Sequence, residues 1–184
     1  MTKELPTTAE QPVTSIEIND PDTQISLRQL TPNDAQKLFD LIDSNREHLS
    51  QFGENTAEKY PTTESVEKSI LQPINPRRLR FGIWNNGNII GSINITPLET
   101  QYRAEIGYYV GEEFTGKGYT TRAVEMLTQF GFEELRFRTI IAEVRSDNNA
   151  SARVLEKAGY VKERQHSSFV LRYTSTKPPT TIAD

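Results

Sequence analysis

Apolar and polar positions follow two periods along the chain, and together they predict an α+β fold. Strands are predicted where apolar residues alternate with polar ones or where β-branched residues cluster, at residues 25–30, 79–84, 88–96, 103–110, 139–144 and at least once within 161–173. Helices are predicted at helical spacing of apolar residues, after Thr31-Pro32, over 62–71, after Gly118 and over 151–157. Three strands follow one another in the middle of this order, so we expect a mainly antiparallel sheet rather than a doubly wound one.

Turn residues support this pattern at three places. Asn86-Gly87 lies between two alternating segments, and both residue types tolerate positive φ, which is typical of a tight hairpin. Thr31-Pro32 combines a capping residue with a proline suited to the first helical turn. Gly159 follows the last predicted helix, where a glycine commonly ends a helix. The hairpin and the limits of two helices are predicted from these residues.

The predicted domain covers residues 23–175. Residues 1–22 contain Pro6, Pro12 and Pro21 among Thr, Glu and Asp, which predicts a loose amino-terminal tail. Residues 176–184 have a similar composition and predict a short carboxy-terminal tail. The chain of 184 residues shows no repeat or internal linker, so a single domain is expected.

Composition narrows the chemistry that this domain can perform. The sequence has no cysteine, which excludes a disulfide framework, a thiolate zinc site and a cysteine nucleophile. His48 and His166 are far apart in the sequence, so we expect no metal site. The net charge of −4 argues against general binding to nucleic acid. The sequence has no apolar leader and no run of about 20 apolar residues, so we expect a cytoplasmic protein that does not bind membranes.

The strongest chemical signal is the segment 107–120, Gly-Tyr-Tyr-Val-Gly-Glu-Glu-Phe-Thr-Gly-Lys-Gly-Tyr-Thr. A predicted strand ends here, two glycines follow, and a helix begins. Glycines let backbone N–H groups converge on an anion, and the helix N-terminus adds partial positive charge. A pyrophosphate group fits such a loop, although a plain strand-to-helix turn would use the same glycines. The spacing matches neither the dinucleotide fingerprint nor the P-loop.

Two further segments give this loop a context. Residues 113–118 resemble the Q/R-x-x-G-x-G/A motif of the GNAT acetyltransferase superfamily. Residues 148–160 resemble the N-x-x-S and L-E-K-x-G-F/Y pattern of its ribosomal-protein (RimJ/RimL-like) branch, and residues 45–49 are similar to the N-R-E-x-L of that branch. The resemblance covers about residues 25–173. It implies a GNAT fold, with a mixed, mainly antiparallel central sheet flanked by helices.

The resemblance also implies a cofactor site without a metal. Acetyl-CoA, the co-substrate, would place its pyrophosphate on the backbone of residues 115–120 and its pantetheine arm along the free edge of strand 103–110, which splays from a parallel neighbour. The amide of Val110 would polarise the thioester carbonyl, and Asn148 would bind the pantetheine or order its turn. The expected cofactor-binding residues are Tyr109, Val110, Thr115, Gly116, Lys117, Gly118, Tyr119, Thr120 and Asn148.

Two side chains are the expected catalytic groups. Glu105 stands in the strand before the glycine loop, where several GNAT enzymes place a glutamate, and is the expected base; Glu112, Glu113 and water are the alternatives. Ser151 is the expected acid for the leaving thiolate. The alternative for Ser151 is a capping role at the start of its helix. Because cysteine is absent, we expect direct attack by the amine in a ternary complex.

The acceptor amine is less defined by the sequence. The resemblance implies the N-terminal amine of a protein, of the ribosomal-protein type. One alternative acceptor is a small amine, such as an amino acid, polyamine, antibiotic or toxin. The alternative to catalysis is a sensor that binds acyl-CoA without turnover. Residues 51–55 depart from the Trp-Leu-Pro-Trp stretch of the branch. After the glycine loop, Arg122 stands where the branch usually has a glutamate. Arg122 would contact a phosphate or face solvent. In the segment 50–76, the acidic residues Glu54, Glu58 and Glu64 would attract a cationic acceptor. A monomer or a homodimer is expected.

Overall fold

The computed structural model describes residues 15–53, 55–100, 102–163 and 169–178. Its strands are β1 (Glu17–Asn19), β2 (Ile25–Gln29), β3 (Leu79–Asn85), β4 (Asn88–Pro97), β5 (Arg103–Val110), β6 (Thr139–Arg145), β7 (Val161–Lys162) and β8 (Val170–Thr176). Its α-helices are α1 (Ala35–Ser44), α2 (Arg46–Ser50), α3 (Thr56–Lys59), α4 (Thr63–Leu71), α5 (Tyr119–Glu133) and α6 (Asn149–Lys157). None of the described helices is long and apolar enough to cross a membrane.

The strands form one mixed sheet in the order β1-β2-β3-β4-β5-β6-β8-β7. Neighbouring strands are antiparallel except β5 and β6, which run parallel. The parallel pair holds only where Arg103, Ala104 and Glu105 face Thr139, Ile140 and Ile141. Beyond Glu105 the two strands separate, so the end of β5 has a free edge toward β6. The α+β fold with a mainly antiparallel sheet is confirmed.

Helices cover both faces of the sheet. On one face, α5 and α6 bury Ala123, Leu127 and Leu155 against the sheet in the larger apolar core. On the other face, α1 and α4 pack with Leu30, Trp84 and Ile89 in a smaller core. Successive side chains of a strand point to opposite faces of the sheet, so each strand can contribute side chains to both cores. The second core leaves the middle of its face uncovered over β4, β5 and β6, where polar side chains lie.

Local sequence explains where the helices begin. The Thr31 N–H and hydroxyl both donate to the Asp34 carboxylate, at 2.9 and 2.8 Å, and the backbone Asp34 N–H donates to the Thr31 oxygen at 2.9 Å, so these bonds hold the chain in the first helical turn. Thr62 caps α4 by accepting from the Ser65 N–H at 3.3 Å. The sequence did not predict α2 and α3, because five and four residues are too few to show a helical period.

The predicted tail boundaries need correction at both ends of the domain. Residues 17–19, assigned to the amino-terminal tail, form β1, which pairs with β2 as an edge strand. Thr176, the first residue of the predicted carboxy-terminal tail, is the last residue of β8. A three-residue edge strand carries almost no periodic signal, and the prolines around it obscure what remains. The other limits of the tails stay predictions.

The buried carboxylate of Asp20, just after β1, ties this edge to α5. Arg122 donates through Nη2 to Asp20 Oδ1 at 2.6 Å and through Nε to Oδ2 at 2.8 Å. Arg122 also reaches Glu125 at 3.1 Å. Arg122 is thus paired with carboxylates while its side chain stays 36% exposed, and a phosphate contact of Arg122 stays a prediction. The carboxylates also offset the cost of a cation in the first turn of a helix.

Replacing Asp20 with asparagine is expected to lower the midpoint of thermal unfolding at pH 7 by several degrees. Arg122 holds the pKa of the Asp20 carboxyl well below its usual range. A lowered folded-state pKa contributes stability above the unfolded pKa of about 3.9, and this contribution is lost as the pH falls toward the folded value. The gap between wild type and Asp20→Asn should therefore narrow below about pH 4. Glu125→Gln, which removes the other carboxylate partner of Arg122, is the control and should lower the midpoint less. Equal midpoints for wild type and Asp20→Asn at pH 7, or a decrease no larger than that of Glu125→Gln, would contradict this.

Candidate active site

A cavity of about 700 Å³ opens where β5 and β6 separate. Residues 106–110 of β5 and 142–145 of β6 line its middle. One end, called here the loop end, is lined by the glycine loop and by the first turns of α6. The other, called the β3 end, lies over β3 and β4 and is roofed by residues of α2, α3 and α4. One continuous space thus connects the glycine loop with the uncovered polar face of the sheet.

The loop end has the backbone geometry of an anion site. Gly116 and Gly118 adopt φ values of +72° and +83°, which L-residues with side chains rarely adopt. A Cβ built on either glycine meets no atom within 4 Å, so both backbones face open space. Gly118 is the N-cap of the 15-residue helix α5, whose first N–H groups have no partner within the helix. The loop therefore presents N–H groups and a helix N-terminus to the cavity.

The expected cofactor residues fall into two groups. Tyr109, Val110, Thr115, Gly116, Gly118, Thr120 and Asn148 line the cavity. Lys117 and Tyr119 do not line it among the described residues: the Lys117 ammonium lies 5.9 Å from the centre of the Phe114 ring, and Tyr119 packs against the larger core. Cofactor binding by these two residues stays a prediction.

The N–H of Val110 faces the gap between β5 and β6. Gly111 N–H donates to the Ile90 oxygen on the β4 side, at 3.0 Å. Successive N–H groups of a strand point to opposite sides of the strand, so the Val110 N–H points toward β6. The separation of β6 leaves it without a strand partner at this level. This is the orientation that an oxyanion donor would require.

Glu105 lies where β5 and β6 begin to separate. It is half-buried and is the last β5 residue paired with β6. Burial raises the pKa of its carboxyl, and the negative charge of Glu143 raises it further. Glu105 does not itself line the cavity, whereas its neighbour Ile106 and the nearby Glu143 do. The alternative bases Glu112 and Glu113 are exposed on a short turn and do not line the cavity.

Ser151 is not the residue that caps α6, so that alternative is wrong. Asn148 is the N-cap, and its side-chain oxygen accepts from the Ser151 N–H at 3.0 Å. The Ser151 hydroxyl lies 2.9 Å from the Tyr108 hydroxyl, and Tyr108 also lies 3.2 Å from the Ser151 carbonyl oxygen. Burial raises the pKa of the Tyr108 phenol, so it is protonated at neutral pH. Both residues line the cavity beside the gap.

Sequence reasoning missed three side chains of this cavity. Tyr108 was hidden because its partner lies 43 positions later in the chain. Glu143 lines the middle of the cavity and pairs with Arg172 at 2.6 Å. The β-branched pattern that predicted this strand indicated neither the position nor the ion pair. Arg80, at the β3 end, sits on a strand otherwise predicted only as one arm of a hairpin. Alternation could have placed Tyr108 on the α6 side of β5, but it could not have named its partner.

The N-R-E-x-L segment supports the loop rather than the cavity floor. The buried Asn45 side chain donates to the Leu41 oxygen at 2.9 Å and accepts from the Glu112 N–H at 2.7 Å. It thereby ties the end of α1 to the turn before the glycine loop. Arg46 donates to the Ala57 oxygen at 2.7 Å and holds α3 against α2. His48 lines the β3 end of the cavity, while His166 lies outside the described residues.

Two of the three acidic residues expected to attract a cationic acceptor lie away from the cavity. Glu58 and Glu64 are exposed and do not line the cavity, and Glu54 lies outside the described residues. Among the described residues that line the cavity, Glu143 is the one carboxylate. Trp84, on β3, is only 2% exposed and belongs to the smaller core.

Comparison with known proteins places this geometry in a family. The family model described as "Acetyltransferase (GNAT) domain" matches residues 24–161. The chain is 33% identical to "Probable N-acetyltransferase YjcK" of Bacillus subtilis over 147 residues, covering 76% of this chain and 81% of that protein. It is 24% identical to the ribosomal-protein-serine acetyltransferase of Escherichia coli over 143 residues, covering 76% and 80%.

A solved structure shares the fold. The ribosomal L7/L12 alpha-N-protein acetyltransferase RimL, in complex with coenzyme A, superposes with a TM-score of 0.77 at 20% identity, covering 86% of this chain and 97% of that one. The splayed strands, the glycine loop and the family match agree with one another. This chain therefore belongs to the GNAT acetyltransferase family.

Proposed function

We propose that this protein transfers the acetyl group of acetyl-CoA to a primary amine by direct attack in a ternary complex, and that the first candidate acceptor is a protein N-terminus of the ribosomal type. The observation that carries the proposal is the cavity through the β5–β6 gap, which links an anion-binding loop with a polar sheet face. A donor and an acceptor can thus meet at one strand edge. The ribosomal-protein relatives support the choice of acceptor.

The loop end provides the groups that acetyl-CoA needs. The N–H groups of residues 115–120 would hold its pyrophosphate, and the free edge of β5 would pair with its pantetheine arm. Thr115 and Thr120 lie at the cavity wall beside the two glycines. Bound acetyl-CoA supplies the thioester carbon that the amine attacks. The Val110 N–H would donate to the carbonyl oxygen as negative charge develops there.

Three side chains would transfer protons: the Glu105 carboxylate and the hydroxyl groups of Ser151 and Tyr108. Glu105 would accept the proton of the acceptor ammonium, directly or through one water, because its raised pKa suits a general base. As the nitrogen–carbon bond forms and the carbon–sulfur bond breaks, the nitrogen would lose its second proton to solvent and Ser151 would donate its hydroxyl proton to the thiolate. The Tyr108 phenol, 2.9 Å from that hydroxyl, can return a proton to Ser151 and recover one from solvent.

A small amine is the second candidate acceptor. The polar groups of the β3 end favour it, since Arg80, Ser92 and Asn94 line a part of the cavity that a small polar molecule could fill. A protein N-terminus would have to enter beneath α3 and α4 to reach the same strand edge. A sensor that binds acyl-CoA without turnover is distinguished by its failure to release thiol with any amine.

Initial-rate kinetics are expected to show that both substrates bind before transfer. The sequence has no cysteine, and no histidine side chain is hydrogen-bonded to Ser151 among the described residues, so a covalent acyl-enzyme lacks an activated nucleophile. Plots against acetyl-CoA at several acceptor concentrations should intersect. Parallel lines, with an acetylated peptide trapped when the acceptor is left out, would contradict direct attack.

Replacing Ser151 with alanine is expected to lower kcat by roughly 10²-fold, the lower range for a lost general acid. The intersecting kinetic pattern and the affinity for acetyl-CoA should be retained, because the hydroxyl serves the leaving group alone. Tyr108→Phe removes the 2.9 Å contact between the two hydroxyls but leaves Ser151 in place, so it should lower kcat less than Ser151→Ala does. Wild-type kcat in Ser151→Ala would remove Ser151 from proton transfer, and complete loss of turnover would instead indicate a covalent nucleophile.

A further inference from the structure

At the β3 end of the cavity, every hydrogen bond that the Arg80 guanidinium donates to a described residue goes to a hydroxyl group. Arg80 Nη1 donates to the Ser69 hydroxyl at 2.9 Å and to the Tyr60 hydroxyl at 3.2 Å. Its Nη2 donates to the Tyr109 hydroxyl and its Nε to the Ser92 hydroxyl, each at 3.3 Å. These residues come from α4, the segment before it, β4 and β5. The guanidinium is thus held firmly within the wall of the cavity.

In the part of the chain that the structure describes, this guanidinium has no carboxylate partner. Four arginines form salt bridges elsewhere, but among the described residues no carboxylate lies within 4.0 Å of Arg80. Burial raises the pKa of the Tyr109 phenol, so this partner is neutral at pH 7. A partly buried cation without an anion is costly, because hydroxyl groups replace only part of its hydration. Its planar fork matches a carboxylate.

The partners of Arg80 add further donors. A hydroxyl that accepts a hydrogen bond from Arg80 directs its own proton elsewhere. The protons of Ser69 and Ser92 are used by the carbonyl oxygens of Val66 and Phe81, but the phenols of Tyr60 and Tyr109 can donate into the cavity that they line. The cluster therefore combines a positive charge with two neutral donors, which is the chemistry of an anion site.

The cluster lies on the same sheet face as the proposed base. Arg80 is in register with Asn94, and Asn94 is in register with Gly107. Glu105 precedes Gly107 by two residues in β5, so it lies on the same face. Two strand spacings and two residues separate the Cα atoms of Arg80 and Glu105 by roughly 12 Å. Carboxylates at Glu105 and Glu143 thus stand at one side of this polar face and Arg80 at the other. A molecule with an ammonium group and an anionic group would be complementary to both.

We propose that the acceptor amine carries a carboxylate, which Arg80 binds together with the phenols of Tyr60 and Tyr109. This inference rests on the proposed acetyl transfer and defines its substrate class. The carboxylate belongs to a free amino acid or to an acidic side chain close to a peptide N-terminus. A polyamine, which has only positive groups, is excluded as the physiological acceptor.

Matched acceptors test the proposal on the unmodified enzyme. Thiol release from acetyl-CoA is measured with free L-amino acids against their carboxamides, and with tripeptide amides that have aspartate or asparagine at the second position. The carboxylate member of at least one pair should have a kcat/KM higher by about 10- to 100-fold, the range for hydrogen bonds to a charged group. The pair that shows the preference identifies the source of the carboxylate. Equal kcat/KM within every pair would overturn the proposal and leave acetyl transfer standing.

Variants then assign the preference to Arg80. Arg80→Gln should reduce the ratio within the preferred pair to about one, mainly by raising KM for the carboxylate member, while the neutral member changes little. Arg77→Gln is the matched control, because Arg77 is exposed, near in sequence and outside the cavity lining; it should keep the full ratio. If Arg80→Gln does not fold, Arg80→Lys should retain part of the preference, since charge remains and the fork is lost.

The outcomes separate this proposal from the proposed function. Loss of the preference in the Arg80 variant, with the preference kept in Arg77→Gln, supports it. A full preference in folded Arg80→Gln would overturn the assignment and point to Lys59 or Arg78, the other cations at this end. No thiol release with any acceptor, charged or neutral, would overturn acetyl transfer and this inference together.

Discussion

Replacing Gly118 with valine is expected to abolish measurable binding of acetyl-CoA while the protein stays folded. Gly118 has a φ of +83° and faces open space within the cavity. A branched side chain there would occupy the space in front of the N–H groups of α5, where the pyrophosphate is proposed to lie. We expect a loss of affinity of at least about 10²-fold in calorimetry, because the loop supplies several charge-assisted hydrogen bonds at once.

Gly159 provides a matched control for this variant. Its φ is +81°, a Cβ there also meets no atom within 4 Å, and it does not line the cavity. Gly159→Val therefore imposes the same backbone strain away from the proposed site. Both variants should unfold at similarly lowered temperatures, but only Gly118→Val should lose acetyl-CoA. Wild-type affinity in folded Gly118→Val would refute the placement of the cofactor.

Replacing Glu105 with glutamine is expected to lower kcat by roughly 10²- to 10⁴-fold, the range for a lost general base. The raised pKa of Glu105, caused by burial and by Glu143, also predicts a pH dependence. A base must be ionised, so wild-type kcat should fall as the pH drops through a pKa above the ordinary value of about 4.3. This acidic limb should disappear in Glu105→Gln. Affinity for acetyl-CoA should barely change, because the proposed base acts on the acceptor amine and need not touch the cofactor.

Glu112→Gln is the matched control for the base. It removes an exposed carboxylate close to the glycine loop and should leave kcat and its pH profile unchanged. Glu143→Gln has a different use, since it removes the charge that raises the Glu105 pKa and should move the acidic limb to lower pH. Wild-type kcat across the whole profile in Glu105→Gln would assign the base to Glu143, Glu113 or water.

The sequence was most informative where a periodic pattern of apolar residues lies next to a chemical motif. The limits of β5 were predicted to the residue, since alternation ends at a glycine loop with its own signature. The separation of β5 from β6 was expected from the family resemblance alone, and the three-residue pairing at Arg103–Glu105 shows it. The loop glycines adopt the positive φ values that their position implies.

Contacts between distant segments were beyond sequence reasoning. Asp20 and Arg122 are 102 positions apart, and the pair forms only because β1 joins the sheet beside α5. Asn148 and Ser151 were both expected at the start of α6, but which of them caps the helix depends on where its first turn begins. Arg80 meets Tyr60, Ser69 and Tyr109 through three separate elements, and no spacing in the chain indicates that meeting.

Acetyl transfer to an amine is tested most directly by incubating the purified protein with acetyl-CoA and a panel of peptide N-termini and small amines. Free thiol is followed over time, and the acceptor is analysed by mass spectrometry. We predict that thiol release requires an acceptor and that one acetyl group appears on the amine nitrogen of the acceptor for each thiol released. Tight binding of acetyl-CoA with no thiol release beyond the protein-free background, for any amine in the panel, would contradict an acetyltransferase and identify an acyl-CoA-binding sensor.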